Sequence, residues 1–308
     1  MSSVELTPAE PARTPPKWLG VVCGAGLLWA FWPTFDFMFE KWVSDPQYSH
    51  GFLVPLFSGY LIYRKLAPGA VWFSKPWPLV AGVILAGMLA LRGLAGVMLF
   101  HQLDAIALLG SLMALALVFG GARFFKMTAP SILFLLFMIP LPYELEKNVG
   151  GPLKIAATWA STFLLQTLGY PAIAEGNIIL IDEVRLGVVD ACSGLKMLMT
   201  FSAFAFGAVL LLDRTWFEKF LIVLGIVPIA VIANVLRIVA TAIVCTLTPD
   251  KGTQLQAHDI FGWLMMPLGL GFLAIQLWCL TRLVVRPGPA DATPLPSGFG
   301  LGIRPAMA

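Results

Sequence analysis

Three short stretches carry reactive or charged side chains that an apolar chain has no packing reason to keep: Asp190-Ala-Cys192-Ser193-Gly194-Leu195-Lys196, Asn234-Val-Leu-Arg237 and His258-Asp-Ile-Phe-Gly262. A cysteine thiolate attacks carbonyl carbon, an imidazole carries protons, and a guanidinium stabilises an oxyanion or holds a substrate, so Cys192, His258 and Arg237 together suffice for acyl transfer. Cys192 is expected at the start of a helix, where the positive end of the helix dipole favours thiolate over thiol. Ser193 and Gly194 are small and leave backbone N–H groups open to an oxyanion. Asn234 and Arg237 are three residues apart and share one helix face. Each residue alone has a plainer reading. A cysteine in a membrane helix is usually an inert small hydrophobe, an Arg at a helix end snorkels to headgroups, and a lone interfacial His is a surface residue. No cluster with metal-ligand spacing is present, so neither a metal nor a cofactor is expected.

The elements that must position these residues follow from composition. The chain has 308 residues, 58% hydrophobic and 12% charged, with mean hydropathy +0.85. Soluble domains average about 45–50% apolar and about 25% charged residues. So little charge cannot cover a water-soluble body of this size, which excludes a soluble enzyme, a disordered protein and a nucleic-acid binder. The expected class is an all-α polytopic membrane protein. Residues 1–16 are polar and carry four prolines, and residues from 287 on are rich in Pro and Gly. The expected organisation is a disordered tail (1–16), a membrane domain (17–286) and a second disordered tail (287–308). Four cysteines (Cys23, Cys192, Cys245, Cys279) form no redox or zinc pair.

Runs of sufficient apolarity predict about eight spanning helices, at 18–39, 51–63, 77–91, 103–120, 128–141, 193–212, 217–245 and 258–283. Pro228 is expected to kink the seventh. Basic clusters at Arg13/Lys17, Arg64/Lys65/Lys75, Arg123/Lys126, Arg214/Lys219 and Arg282/Arg286 then fall on one side. With Arg304 that side holds 12 basic and five acidic residues, against eight and 12 on the other. By the positive-inside rule it is the cytoplasmic side, and it holds both termini. Residues 144–168 would split the clusters if they spanned, so they are expected as an interfacial helix on the outer face. Residues 175–190 hold two β-rich runs around Asp182-Glu183 and predict a short hairpin leading into Cys192.

Depth then links the reactive residues. Arg237 lies 18 residues after cytoplasmic Lys219. At about 1.5 Å per residue it reaches the outer surface, where Cys192 and His258 are also expected. His50, in an outer loop, is either a partner near the site or part of the start of the second span. Lys196 and Arg185, close in sequence to Cys192, are expected to attract an acidic group on a substrate.

Cys192-Ser-Gly-Leu, Asn234-x-x-Arg237 and His258-x-x-x-Gly262, in this order on separate spans, resemble the signature of the exosortase/archaeosortase family. Tyr48-Ser-His-Gly-Phe-Leu-Val-Pro55 and Ile139-Pro-Leu-Pro142 add to the likeness, which covers the chain from about Trp18 to Arg286. The resemblance implies a cysteine transpeptidase of the bacterial plasma (inner) membrane with its active site on the outer face. Its substrates would be exported proteins ending in a motif such as Pro-Glu-Pro, a transmembrane helix and a basic cluster. It implies that Cys192 forms a thioester, His258 protonates the leaving amine and Arg237 stabilises the oxyanion. Asn234, Ser193, Gly194, Lys196 and His50 would support substrate binding. Water or the amine of a lipid or glycan would release the product. Two other readings fit part of the pattern: a transporter or channel with Pro228 breaking a helix, and a non-catalytic component of a polysaccharide export system.

Overall fold

The computed structural model describes residues 17–45, 48–66, 74–188, 194–248 and 250–283. The expected tails, Cys192 and Ser193 lie outside the described residues. Ten helices and one small sheet form the described part. The N-terminal half holds α1 (Lys17–Ala30), α2 (Trp32–Ser44), α3 (Leu53–Lys65), α4 (Pro78–Met98) and α5 (His101–Phe134). The C-terminal half holds α6 (Tyr143–Thr167), strands β1 (Ala172–Glu175), β2 (Ile178–Ile181) and β3 (Val184–Gly187), then α7 (Leu195–Leu211), α8 (Trp216–Leu224), α9 (Ile226–Leu247) and α10 (Lys251–Leu283).

Four helical stretches are long and apolar enough to cross a membrane: Pro78–Met98, His101–Met138, Trp216–Leu247 and Gly252–Leu283. A fifth is added if α1 and α2, bent by 63° at Phe31, count as one. The expected count of about eight is therefore not reached on length and composition. At 13 and 17 residues, α3 and α7 are shorter than the roughly 20 a spanning helix needs. The predicted first span is interrupted because Pro33, in the first turn of α2, has no N–H for the carbonyl one turn back, at Trp29. The effect of Pro228 also falls one turn upstream. The chain breaks at Gly225 between α8 and α9, and the Gln276 side chain of α10 donates to the Leu221 carbonyl there at 2.7 Å.

α5 is not one straight rod. Its 34 residues would extend about 51 Å if straight. Yet Asp104 near its start accepts a hydrogen bond from Thr34, and Met138 just beyond its end accepts one from Trp42 at 2.8 Å. Thr34 and Trp42 lie only eight residues apart on α2. The chain reverses at Gly121, whose φ of 67° and ψ of −168° suit glycine almost alone. A Cβ there would sit 2.5 Å from the Lys75 carbonyl oxygen. Gly121→Ala is accordingly expected to lower stability by about 2–4 kcal/mol, backbone strain and clash combined, read as a lower Tm of the detergent-solubilised protein. The second arm runs antiparallel to α3, with Ser58 Oγ donating to the Ser131 carbonyl at 2.7 Å.

α9 is the central rod of the other half. One face packs Val235, Ile238, Val239 and Ala242 against Ala157 and Leu165 of α6 and Ile179 and Ile181 of β2. The other packs Ile226, Ala230 and Ala233 against Met197 and Phe201 of α7 and Met265 and Leu273 of α10. A helix buried on opposite faces must be apolar nearly all round. Asn234, Arg237 and Thr241 are the buried exceptions, 1%, 5% and 6% exposed. The helix expected over 144–168 is present as α6, half-covered by α9 and the sheet. The predicted hairpin turns at Asp182-Glu183, pairing Ile181 with Val184. A third strand, β1, extends it into an antiparallel meander.

Candidate active site

Arg237 projects from α9 toward the first turns of α10. Its Nη2 lies 3.1 Å from His258 Nε2. A guanidinium only donates, so Nε2 must offer its lone pair. The other ring nitrogen, Nδ1, lies 3.2 Å from Asp259 Oδ1. α10 begins two turns before His258. The Asp250 carboxylate accepts from the Thr253 hydroxyl (2.7 Å) and the Thr253 N–H (2.8 Å), capping the helix. The same bonds hold its carboxyl below the usual carboxylate range.

Arg237 and Asp259, the two partners of the imidazole, border a cavity of about 490 Å³. Arg237 forms one wall with Lys196 of α7, and Asp259, Gly262, Trp263 and Met266 of α10 form another. Trp42 and Val43 at the end of α2, with Ser49, complete it. Lys196 is half-buried, and the Arg237 guanidinium and the Asp45 carboxylate both act on its ammonium through space. Among the described residues the Lys196 ammonium makes no hydrogen bond or ion pair, while its carbonyl accepts from the Thr200 hydroxyl at 3.0 Å. The cavity therefore offers cations to an anionic or strongly polar guest between two indoles.

Gly194 is the N-cap of α7 and holds a left-handed φ of 82°. A Cβ on it would sit 3.3 Å from Asn234 Nδ2, so α7 starts against the polar face of α9. Gly262 faces Arg237 just as closely, since a Cβ there would come 3.1 Å from Nη2 and 3.4 Å from Cζ. Gly262→Ala is expected to raise helix propensity by about 1 kcal/mol and yet weaken function, because the methyl displaces the guanidinium from His258. A protein that melts no lower than wild type, with a shifted His258 imidazole ¹⁵N signal, is the expected signature.

His50 is turned elsewhere. Its Nε2 lies 3.1 Å from the Phe137 carbonyl oxygen. It borders a separate apolar groove of about 460 Å³ between α3 and α7, with Phe57, Ala203, Gly207 and Leu211. Ser49, its neighbour, reaches the Arg237 cavity instead. Arg185 is exposed on β3 and is not among the residues bordering that cavity. Sequence reasoning assigned no role to Asp259, Trp263, Trp42 or Ser49. Asp259, Gly262, Trp263 and Met266 recur at helical spacing from the start of α10, a signal that was readable; Trp42 and Ser49 come from distant chain and gave none. Among the described residues no group of three His, Cys, Asp or Glu side chains could hold a metal.

The helices, with the buried Arg237 against half-buried His258, define a polytopic membrane protein with a polar cavity among its helix ends. The family model described as transmembrane exosortase (Exosortase_EpsH) matches residues 42–275, well over half of the chain, and the chain belongs to that family. The match runs from Trp42 to Ile275 and takes in Cys192, Asn234, Arg237 and His258. No curated protein and no solved structure matches the chain.

Proposed function

We propose that this chain is a membrane-embedded cysteine protease or transpeptidase that removes C-terminal sorting signals from exported proteins. The observation that carries the reading is the 3.1 Å contact between Arg237 and His258 at a cavity shared with Lys196. The described chain resumes at Gly194, against Asn234, and a two-residue tether from there to Cys192 reaches at most about 7 Å.

In this reading the Cys192 thiol gives its proton to His258 Nε2, and the resulting thiolate attacks the carbonyl carbon of the scissile peptide bond. Arg237 stabilises the resulting oxyanion. The C–N bond breaks as His258 gives its proton to the leaving amine, which departs with the signal's helix, and the acyl group remains as a thioester. His258 then takes a proton from the incoming nucleophile, either water or the amine of a lipid or glycan. The thiolate leaves and the cycle closes. The N–H groups at Ser193 and Gly194 would add oxyanion donors. Asn234 orients the start of α7, and Lys196 would hold an acidic residue of the motif. An apolar helix in the bilayer, with its scissile bond level with the outer cavity, is the substrate geometry this arrangement fits.

The test is co-expression with a reporter that ends in a motif, a transmembrane helix and a basic cluster. Loss of the tail, with a new C-terminus located by mass, is expected. A reporter that stays full-length beside abundant enzyme would falsify the reading.

A further inference from the structure

We propose that Asp259 is a positioning residue that holds the His258 imidazole in the Nδ1–H tautomer and offsets the charge of Arg237. This rests on the reading of His258 as the proton carrier. A guanidinium has five N–H donors and no acceptor, so its contact with Nε2 requires a lone pair there. A neutral imidazole has one N–H, which must then lie on Nδ1. That nitrogen faces the Asp259 carboxylate at 3.2 Å, inside hydrogen-bond range. The ring is pinned at both ends, and its plane is fixed by groups on two different helices.

The second pin has an electrostatic consequence. When Nε2 takes a proton, the imidazolium stands beside the Arg237 guanidinium, with the Lys196 ammonium on the same cavity. The three like charges repel one another. The Asp259 carboxylate faces the same cavity from the opposite ring nitrogen and restores the balance. Asp45 also acts on the cation cluster, but through Lys196. Asp259 is well exposed, so it contributes little to packing, and its removal should leave the fold intact.

The experiment uses full-length enzyme in detergent or nanodiscs, a synthetic peptide with the tripartite tail, and variants Asp259→Ala, Asp259→Asn and Asp259→Glu. Asp259→Ala is expected to lower kcat about tenfold or more with KM unchanged. Asp259→Asn keeps an acceptor for Nδ1–H without the charge and should fall between, and Asp259→Glu should recover part of the loss. Imidazole ¹⁵N spectra give a readout independent of turnover: wild-type His258 shows the proton on Nδ1, and Asp259→Ala shows mixed tautomers. A wild-type kcat in Asp259→Ala, a loss in KM alone, or a wild-type His258 protonated on Nε2 overturns the proposal. His258→Ala is assayed in parallel. If it processes the peptide normally, the function proposed above fails; if it is inactive while Asp259→Ala is normal, only the role of Asp259 fails.

Discussion

Cys192→Ala leaves a tailed reporter full-length in the membrane while the protein itself accumulates normally. This is the largest effect the proposed chemistry allows, because the thiol supplies the bond-forming electrons. Removing the nucleophile of a covalent hydrolase costs about 10⁴- to 10⁶-fold, and what remains comes from binding and oxyanion donors. Cys192→Ser should also process less than about 1% of the reporter, since a serine hydroxyl is far less acidic than a thiol and attacks only when a base is placed to take its proton. Accumulation should hold because buried Leu195, and Gly194 against Asn234, anchor the start of α7 whatever stands at position 192. Immunoblots of reporter mass and enzyme abundance in the same cells measure both. A transporter would lose no transport merely through the loss of a nucleophile, and an export scaffold would tolerate the change. Normal processing by Cys192→Ala would leave one of those readings standing.

The parts of the site that were legible in the sequence are those set by one-dimensional rulers. The 18-residue rise from Lys219 put Arg237 level with His258, and the structure brings the two side chains together. The pair Arg123 and Lys126 marked the loop between two apolar runs, and the chain does reverse there, at Gly121. Asp182-Glu183 marked the β-turn correctly. Other features depend on competition between local signals. The apolar run 18–39 hid the break at Phe31, because hydropathy does not register the carbonyl that Pro33 orphans. β1 is four residues long and ends in Glu175, too short for alternation to register. The walls of the cavity were beyond reach for a different reason. Trp42 enters only because α2 bends back over the second arm of α5, where its indole N–H donates to Met138. From the sequence His50 was either a partner near the site or part of the start of the second span; its Nε2 lies against the Phe137 carbonyl, and its neighbour Ser49 borders the Arg237 cavity.

The second large effect concerns the Arg–His pair as a unit. Arg237→Ala should lower processing by about 10²- to 10³-fold, the usual loss for one oxyanion donor. Arg237→Lys should rescue little. Lysine carries a compact ammonium on a flexible stem, whereas the planar guanidinium can donate to Nε2 with one N–H and aim others into the cavity. At 5% exposure Arg237 also sits where a mispositioned charge is costly. His258→Ala removes the proton carrier and should lose about 10²- to 10⁴-fold. The decisive variant is the double one. If Arg237 and His258 serve one transition state, Arg237→Ala/His258→Ala falls no more than about tenfold below the weaker single variant, because the second loss removes a group already idle. Rates from purified enzyme and a tailed peptide, with Tm recorded for each protein, give the comparison. Losses that multiply in full would mean that the two residues act in separate steps, and the contact between them would then be a structural tie between α9 and α10.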